Sequence, residues 1–371
     1  METVVIALGG NALQAAGQPA TAENQLQVAE ATSTHIANIL EAGYTVAMAH
    51  GNGPQVGRIV LDNPAMPFDV CGAMSQGYIG YHLQQALGKV LKERGIDKDV
   101  ACVVTQVVVD ANDPKFQNPS KPIGAFYEEA EAKKLAEEKG WVVKEDAGRG
   151  WRRVVASPVP VEIVEINAVK RLMDAGIVPI TVGGGGIPVI RKADGTLEGT
   201  AAVIDKDLAS EELAEDIDAE VLLILTAVEA VSINFRKPDQ KDLDKVTVAE
   251  VKEYMAQGHF APGSMLPKME AAVRFAESKP GRKAVITSLD KAVEAVSINF
   301  RKPDQKDLDK VTVAEVREYM AQGHFAPGSM LPKMEAAVRF AESKPGRKAV
   351  ITSLDKAGEA LNGKAGTTIT L

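Results

Sequence analysis

Three lysines stand apart from the rest because fixed backbone flanks them. Lys206 lies in Ala202-Val203-Ile204-Asp205-Lys206-Asp207, where Asp207 is placed to hold a lysine. Lys268 lies in Gly263-Ser264-Met265-Leu266-Pro267-Lys268-Met269-Glu270, a glycine-proline turn that opens a helix. Lys121 lies in Asn118-Pro119-Ser120-Lys121-Pro122-Ile123-Gly124. With 42 Lys and Arg in 371 residues, a lysine is by default a solvated surface charge. Rigid neighbours argue otherwise, since fixing backbone is worthwhile where it positions a side chain. The chemistry that wants several positioned lysines is phosphoryl transfer, where charge spread over phosphoryl oxygens needs cations in place and little covalent help.

Glycines supply the second half of such a site. Gly9 and Gly10, followed by Asn11, come directly after the apolar run Val4 to Leu8. Gly51, Asn52 and Gly53 follow the run Thr45 to Ala49, with Pro54 placed for the first turn of a helix. Gly184 and Gly185 belong to a run of four glycines, 183–186, after Val178 to Val182. Glycine after a strand lets the backbone approach a ligand and aim N–H groups at an anion. One such loop is as readily a plain turn as a site. Three at the carboxyl edge of one sheet predict an anion site, because ligands of open α/β sheets bind there. Neither the P-loop pattern nor G-x-G-x-x-G is present.

The elements that position these residues alternate. Strand candidates are Val4 to Leu8, Thr45 to Ala49, Ala101 to Val109, Val178 to Val182, Val221 to Leu225 and Ala284 to Thr287. Helical patterns such as Leu26 to Leu40 and Met74 to Leu91 fall between them. Continuous apolar strands alternating with helices predict an α/β fold: three layers, α/β/α, around a mainly parallel open sheet. Residues 112–155 break the rhythm. They are polar and Pro-rich at first, then helical (Glu128 to Lys139), then hairpin-like (Trp141 to Lys144, Arg152 to Val155). This segment reads as a lid that carries Lys121.

Composition narrows the partners. The net charge is -8 with no basic tract, which argues against nucleic acid. Cys71 and Cys102 lie far apart and match no metal-ligand spacing, as expected of thiols in a reducing compartment. No apolar run reaches membrane-spanning length, and the first strand begins without a charged leader, so a cytoplasmic location is expected.

The chain also repeats itself. Residues 227–291 recur at 292–356 with one difference, Lys252 against Arg317. Removing one copy leaves 306 residues, a natural size for one α/β domain, so the expectation is a single domain over 1–371 with one copy surplus. The first copy is expected to dock, continuing from Val221 to Leu225. The second is expected to be extruded before the last strand, leaving Val338, Phe340 and Val350 without their partners. Lys333 is the second copy's equivalent of Lys268.

Taken in order, the motifs resemble one family. Leu8-Gly9-Gly10-Asn11-Ala12-Leu13, His50-Gly51-Asn52-Gly53-Pro54-Gln55-Val56-Gly57, Ser120 to Gly124, Gly148 to Pro158, Ala202 to Asp207, Gly263 to Ala271 and Ile351-Thr352-Ser353-Leu354 are similar to those of the carbamate kinases, a branch of the amino acid kinase superfamily. The resemblance implies the amino acid kinase fold and reversible transfer between ATP and carbamate, giving ADP and carbamoyl phosphate. It implies that Gly9, Gly10, Asn11, Gly51 and Asn52 line the carbamate and phosphoryl end. Lys121 would come from the lid to the transferred phosphate, Lys206 and Lys268 would neutralise ATP phosphates, and Asp207 would orient the lysines. Mg2+ would sit mainly on phosphate oxygens. A homodimer is expected, working in the ATP-forming direction in arginine or purine breakdown. Another acyl-phosphate kinase of the superfamily, or a duplication product with impaired catalysis, remains open at this point.

Overall fold

The computed structural model describes residues 2–9, 21–146, 150–243, 245–262, 264–292, 310–322, 330–344, 348–351 and 367–370. Where the sequence reads as one domain over 1–371, the chain divides into two compact units, Met1–Ala292 and Val293–Leu371.

The first unit runs β1 (Thr3–Leu8), α1 (Ala22–Glu41), β2 (Thr45–His50), α2 (Gly53–Asp62), α3 (Phe68–Arg94), β3 (Val100–Cys102), β4 (Gln106–Val109), β5 (Lys121–Tyr127), α4 (Glu129–Lys139), β6 (Val142–Glu145), β7 (Trp151–Val155) and β8 (Pro160–Ile163). It continues through α5 (Ile166–Asp174), β9 (Val178–Ile180), β10 (Ile187–Arg191), β11 (Leu197–Gly199), α6 (Lys206–Asp216), β12 (Val221–Thr226), β13 (Val231–Ile233), β14 (Lys241–Leu243), α7 (Val248–Ala256), α8 (Leu266–Ser278) and β15 (Lys283–Ser288).

The main sheet has the order β15-β12-β1-β2-β9-β3, and every pair in it is parallel. Apolar runs without polar alternation fit this place, because a parallel strand here is covered on both faces. Val4 to Leu8 are all 0% exposed. Leu208, Leu213, Ala271 and Phe275 of α6 and α8 belong to the same core as Val5, Ala7, Leu222 and Ile224 of the strands. The register pairs Leu8 with both His50 and Leu225, so β1, β2 and β12 end level with one another. The loops that follow them therefore open at one edge.

Two strand expectations need correction. Ala101 to Val109 is not one strand. It breaks into β3, in the main sheet, and β4, in a second sheet of order β11-β10-β4-β8. Thr105 sits at the break, where Gln76 of α3 accepts from its backbone N–H at 2.8 Å and donates to its carbonyl at 3.0 Å. The first bond satisfies the Thr105 N–H, while its carbonyl also accepts from the Ile187 N–H at 2.8 Å. Val178 to Val182 also ends early, at Ile180. Val182 has φ +43, a left-handed conformation costly for a β-branched residue. The glycines 184–186 all have positive φ as well.

Segment 112–155 contains the antiparallel sheet β5-β7-β6 with α4 beside it. Ile123 and Val155 pack with Val203 and Phe68. Gly57 of α2 has no room for a side chain, since a Cβ there would lie 2.5 Å from the Gly124 Cα.

The second unit holds β16 (Lys310–Thr312), α9 (Val313–Ala321), α10 (Met330–Glu342), β17 (Lys348–Ile351) and β18 (Thr367–Thr370). β18 pairs parallel with β16 and antiparallel with β17. Val338 is buried in this unit's own core with Val311, Val316, Met334 and Ala341, so it does not lack apolar partners as expected. Phe340 is 49% exposed. The side chains of Val350 and Lys333 lie outside the described residues.

Candidate active site

Helix α6 begins where its sequence says it should. Asp205 is the N-cap, and its Oδ1 accepts from the Asp207 backbone N–H at 2.9 Å. The carboxylate satisfies a donor that the first turn leaves open and faces the positive end of the helix dipole. Lys206 and Asp207 are thereby fixed at the start of α6, level with the ends of β1 and β2.

Three lysines from three separate elements meet at these two aspartates. Lys206 Nζ donates to Asp207 Oδ1. Lys268, in the first turn of α8, donates to Asp207 Oδ2 at 2.7 Å. Lys121, the first residue of β5, donates to Asp205 Oδ2 at 2.6 Å. The side chains of Lys206 and Lys268 are each 13% exposed and that of Asp207 only 4%, so solvent screens these charges weakly. Burial alone would raise Asp205. The Lys121 ammonium, with Lys206 behind it, outweighs burial and holds the carboxyl down at about 2. Burial pushes the Lys206 ammonium below its usual range; Asp207 opposes the shift and Lys268 adds to it. Three ammoniums against two carboxylates leave a net positive charge, which suits a polyanionic ligand.

The glycine loops close on this cluster. A Cβ at Gly51 would lie 3.2 Å from Lys206 Cδ, so the loop after β2 lies along the stem of that lysine. A Cβ at Gly185 would lie 2.2 Å from the Ile204 carbonyl oxygen, directly before Asp205. One at Gly184 would lie 2.1 Å from Asn52 Nδ2, which donates to Ser75 Oγ at 2.8 Å. Gly9 abuts the Leu225 carbonyl. Gly53 opens α2 and faces open space. The structure thus brings together Lys121, Lys206, Asp207, Lys268, Gly51, Asn52, Gly184 and Gly185. Gly10 and Asn11 lie outside the described residues.

Sequence reasoning misses three residues. It gives the holding role to Asp207 alone, whereas Asp205 holds a lysine too. His50 is 1% exposed, and its Nδ1 donates to the Gly51 carbonyl at 2.9 Å. Burial lowers it to about 4, against a weaker opposing effect of that hydrogen bond, so it is neutral at neutral pH. Gln76 donates to the Gly183 carbonyl at 2.9 Å as well as clamping Thr105. It ties α3 to the strained glycine loop. A lone glutamine in a helical pattern carries no signal of this; the neighbouring motif His50-Gly51-Asn52 does carry one for His50.

The donor set also bears on metal binding. Both carboxylates of the cluster are engaged by ammonium groups, and no group of three or more His, Cys, Asp or Glu that could hold a metal ion occurs among the described residues.

The sequence pattern of the amino acid kinase family matches residues 2–288. The carbamate kinase of Clostridium perfringens is 53% identical over 303 residues, 79% of this chain and 96% of that protein. The carbamate kinase of Thermococcus kodakarensis is 54% identical over 306 residues, with 80% of this chain and 96% of that protein covered. Among solved structures, carbamate kinase from Giardia lamblia bound to citric acid is 44% identical with a TM-score of 0.74, covering 79% of this chain and 95% of that one. The chain therefore belongs to the amino acid kinase family, within its carbamate kinase branch.

Proposed function

We infer that this chain moves a phosphoryl group between ATP and carbamate, giving ADP and carbamoyl phosphate. The observation that carries the reading is the meeting of Lys121, Lys206 and Lys268 at Asp205 and Asp207, beyond the carboxyl ends of parallel strands. The relatives support it in name and over most of their length. The Giardia lamblia enzyme bound to AMP-PNP, 38% identical with a TM-score of 0.72, supports a nucleoside triphosphate as one substrate.

The positions of the lysines support their roles. Lys206 and Lys268 are anchored by one carboxylate on the rigid body of the unit, so they can neutralise the nucleotide phosphates. Lys121 approaches from the lid side and would meet the moving phosphoryl group. The loops after β1 and β2, with Gly9, Gly10, Asn11, Gly51 and Asn52, would line the carbamate end. The transfer is direct and in line, with charge stabilisation as the main contribution of the protein. Mg2+ would sit mainly on phosphate oxygens, where it would neutralise further charge. We further propose a cytoplasmic homodimer. Val70, Met74 and Tyr81, exposed along α3, are the apolar positions a second copy would cover.

The test is ATP formation from ADP, with carbamoyl phosphate set against acetylglutamyl phosphate. Turnover with carbamoyl phosphate and a fall of about 10²–10³ in kcat for Lys206→Ala are expected. Preference for acetylglutamyl phosphate would reassign the acceptor, and a variant keeping a third or more of the activity would remove Lys206 from the mechanism.

A further inference from the structure

Asp207 and Asp205 divide the lysines unequally. Asp207 serves two ammoniums borne by helices of the main body. Asp205 accepts from the lysine borne by the lid segment, and Lys206 adds only a through-space attraction. Its two oxygens are used separately, Oδ1 by the Asp207 N–H and Oδ2 by Lys121, so its orientation is fixed from both sides. The backbone repeats the connection. Ser120 donates to the Val155 carbonyl at 3.2 Å, and Lys121 pairs with Val155 in the β5–β7 ladder. One residue further on, Ala156 bridges Ala202, and Val203 donates to the Ala156 carbonyl at 2.9 Å. The base of the lid is thus stitched to the segment that ends in Asp205.

We propose that Asp205 is the positioning residue of the lid lysine: it holds the Lys121 ammonium over the site, and with it the start of β5, before any ligand binds. The inference rests on the reading above, in which Lys121 meets the moving phosphoryl group. Asp205 is 8% exposed, and among the described residues Lys121 supplies the one ammonium within hydrogen-bond distance of its Oδ2. Releasing Lys121 would leave a nearly buried carboxylate without its hydrogen-bonded cation, with only the through-space charge of Lys206 to offset burial, which is unfavourable. The lysine therefore waits inside the site. An arriving phosphoryl group meets a cation already in place, and reorganisation at the moment of transfer stays small. Two carboxylates then perform two tasks, one fixing the nucleotide-side pair and the other seating the lid.

The experiment uses the full-length, ligand-free chain carrying Asp205→Asn. Asparagine still caps α6 but brings no charge, and Asp205→Ser gives a second capping variant without charge. Hydrogen exchange at residues 121–127 should quicken about tenfold in both, while amides of α6 keep their protection, because local opening there loses its ion pair. Asp205→Asn should lower kcat about tenfold or more with little change in KM for ADP, and lower it less than twofold when Lys121→Ala is already present, as expected of residues acting as one unit. Unchanged exchange at 121–127 overturns the proposal. So does an equal loss of kcat with and without Lys121. Full activity of Lys121→Ala would instead overturn the catalytic reading of that lysine, and the exchange result would still decide whether Asp205 holds it.

Discussion

A buried cluster of like charges survives without ligand only if counter-charges are built in. Asp205 and Asp207 do this for the three lysines, at the cost of leaving a site whose electrostatics are tightly balanced. His50 adds a pH limit to that balance. Its ring is buried and lies against Gly183, where a Cβ would lie 2.5 Å from Nε2, so bulk solvent does not reach it to stabilise a second proton. The folded value of about 4 lies below the unfolded 6.5. Between those values the unfolded chain binds the proton and the folded chain does not. The stability His50 contributes as a neutral ring is therefore present above 6.5 and lost as pH falls toward 4, amounting to about 2 kcal/mol by pH 5. Urea unfolding at pH 7.5 and pH 5 should show a larger loss for the wild type than for His50→Gln by about that amount. Equal losses would mean that His50 is not the group responsible. At this scale the lysines were legible because glycine and proline flank them. Asp205 and Gln76 were not, because their partners Lys121, Thr105 and Gly183 are brought to them only by folding.

Elements show where apolar pattern suffices and where it fails. The runs at β1, β2 and β12 could be read directly, since six or so buried residues without alternation have few other uses. Ala101 to Val109 could not, because both halves are apolar and the bonds that Gln76 makes to Thr105 at the break form only on folding. The seat of segment 112–155 is a further case. Gly57 reads as one of several glycines in a motif, yet it is the point where α2 meets β5 with no space for a methyl group. Gly57→Ala should push β5 off α2 and shift Lys121, three residues before Gly124. A misplacement of about 1 Å at a reacting group costs up to 10² in rate, so kcat should fall by about tenfold or more, beyond any change in thermal midpoint. Measuring kcat and Tm together checks this. A variant with normal kcat would show that the α2–β5 contact does not seat the lysine.

At the scale of the whole molecule, the duplication separates what local sequence decides from what a partner decides. Both copies form the same capping box, Thr247 with Glu250 and Thr312 with Glu315, and the same helix pair follows each. Even the one difference is absorbed, since Lys252 reaches Glu277 and Arg317 reaches the equivalent Glu342. The strands that end the copies diverge. Lys283–Ser288 lies parallel to β12 in the main sheet, whereas Lys348–Ile351 lies antiparallel to β18 in the second unit. Identical residues thus take different neighbours, which no reading of the repeat alone could give. The Clostridium perfringens relative is matched over 96% of its length by 79% of this chain, so part of this chain has no counterpart there. Closing a flexible loop of one copy's length costs about 3.7 kcal/mol by the logarithmic law, and the core around Val338 offers an offset. Function can report which copy serves the site, because Lys268 and Lys333 are the same residue twice. Lys268 is the one paired with Asp207, whereas the side chain of Lys333 lies outside the described residues. Lys268→Ala should therefore lower kcat by about 10²–10³, as the loss of a positioned charge does, with Lys333→Ala staying within about twofold of the parent. Steady-state ATP formation by the two single variants decides it. The reverse pattern would place the second copy in the site. Comparable partial losses from both would mean that the copies exchange places, within a chain or between two chains.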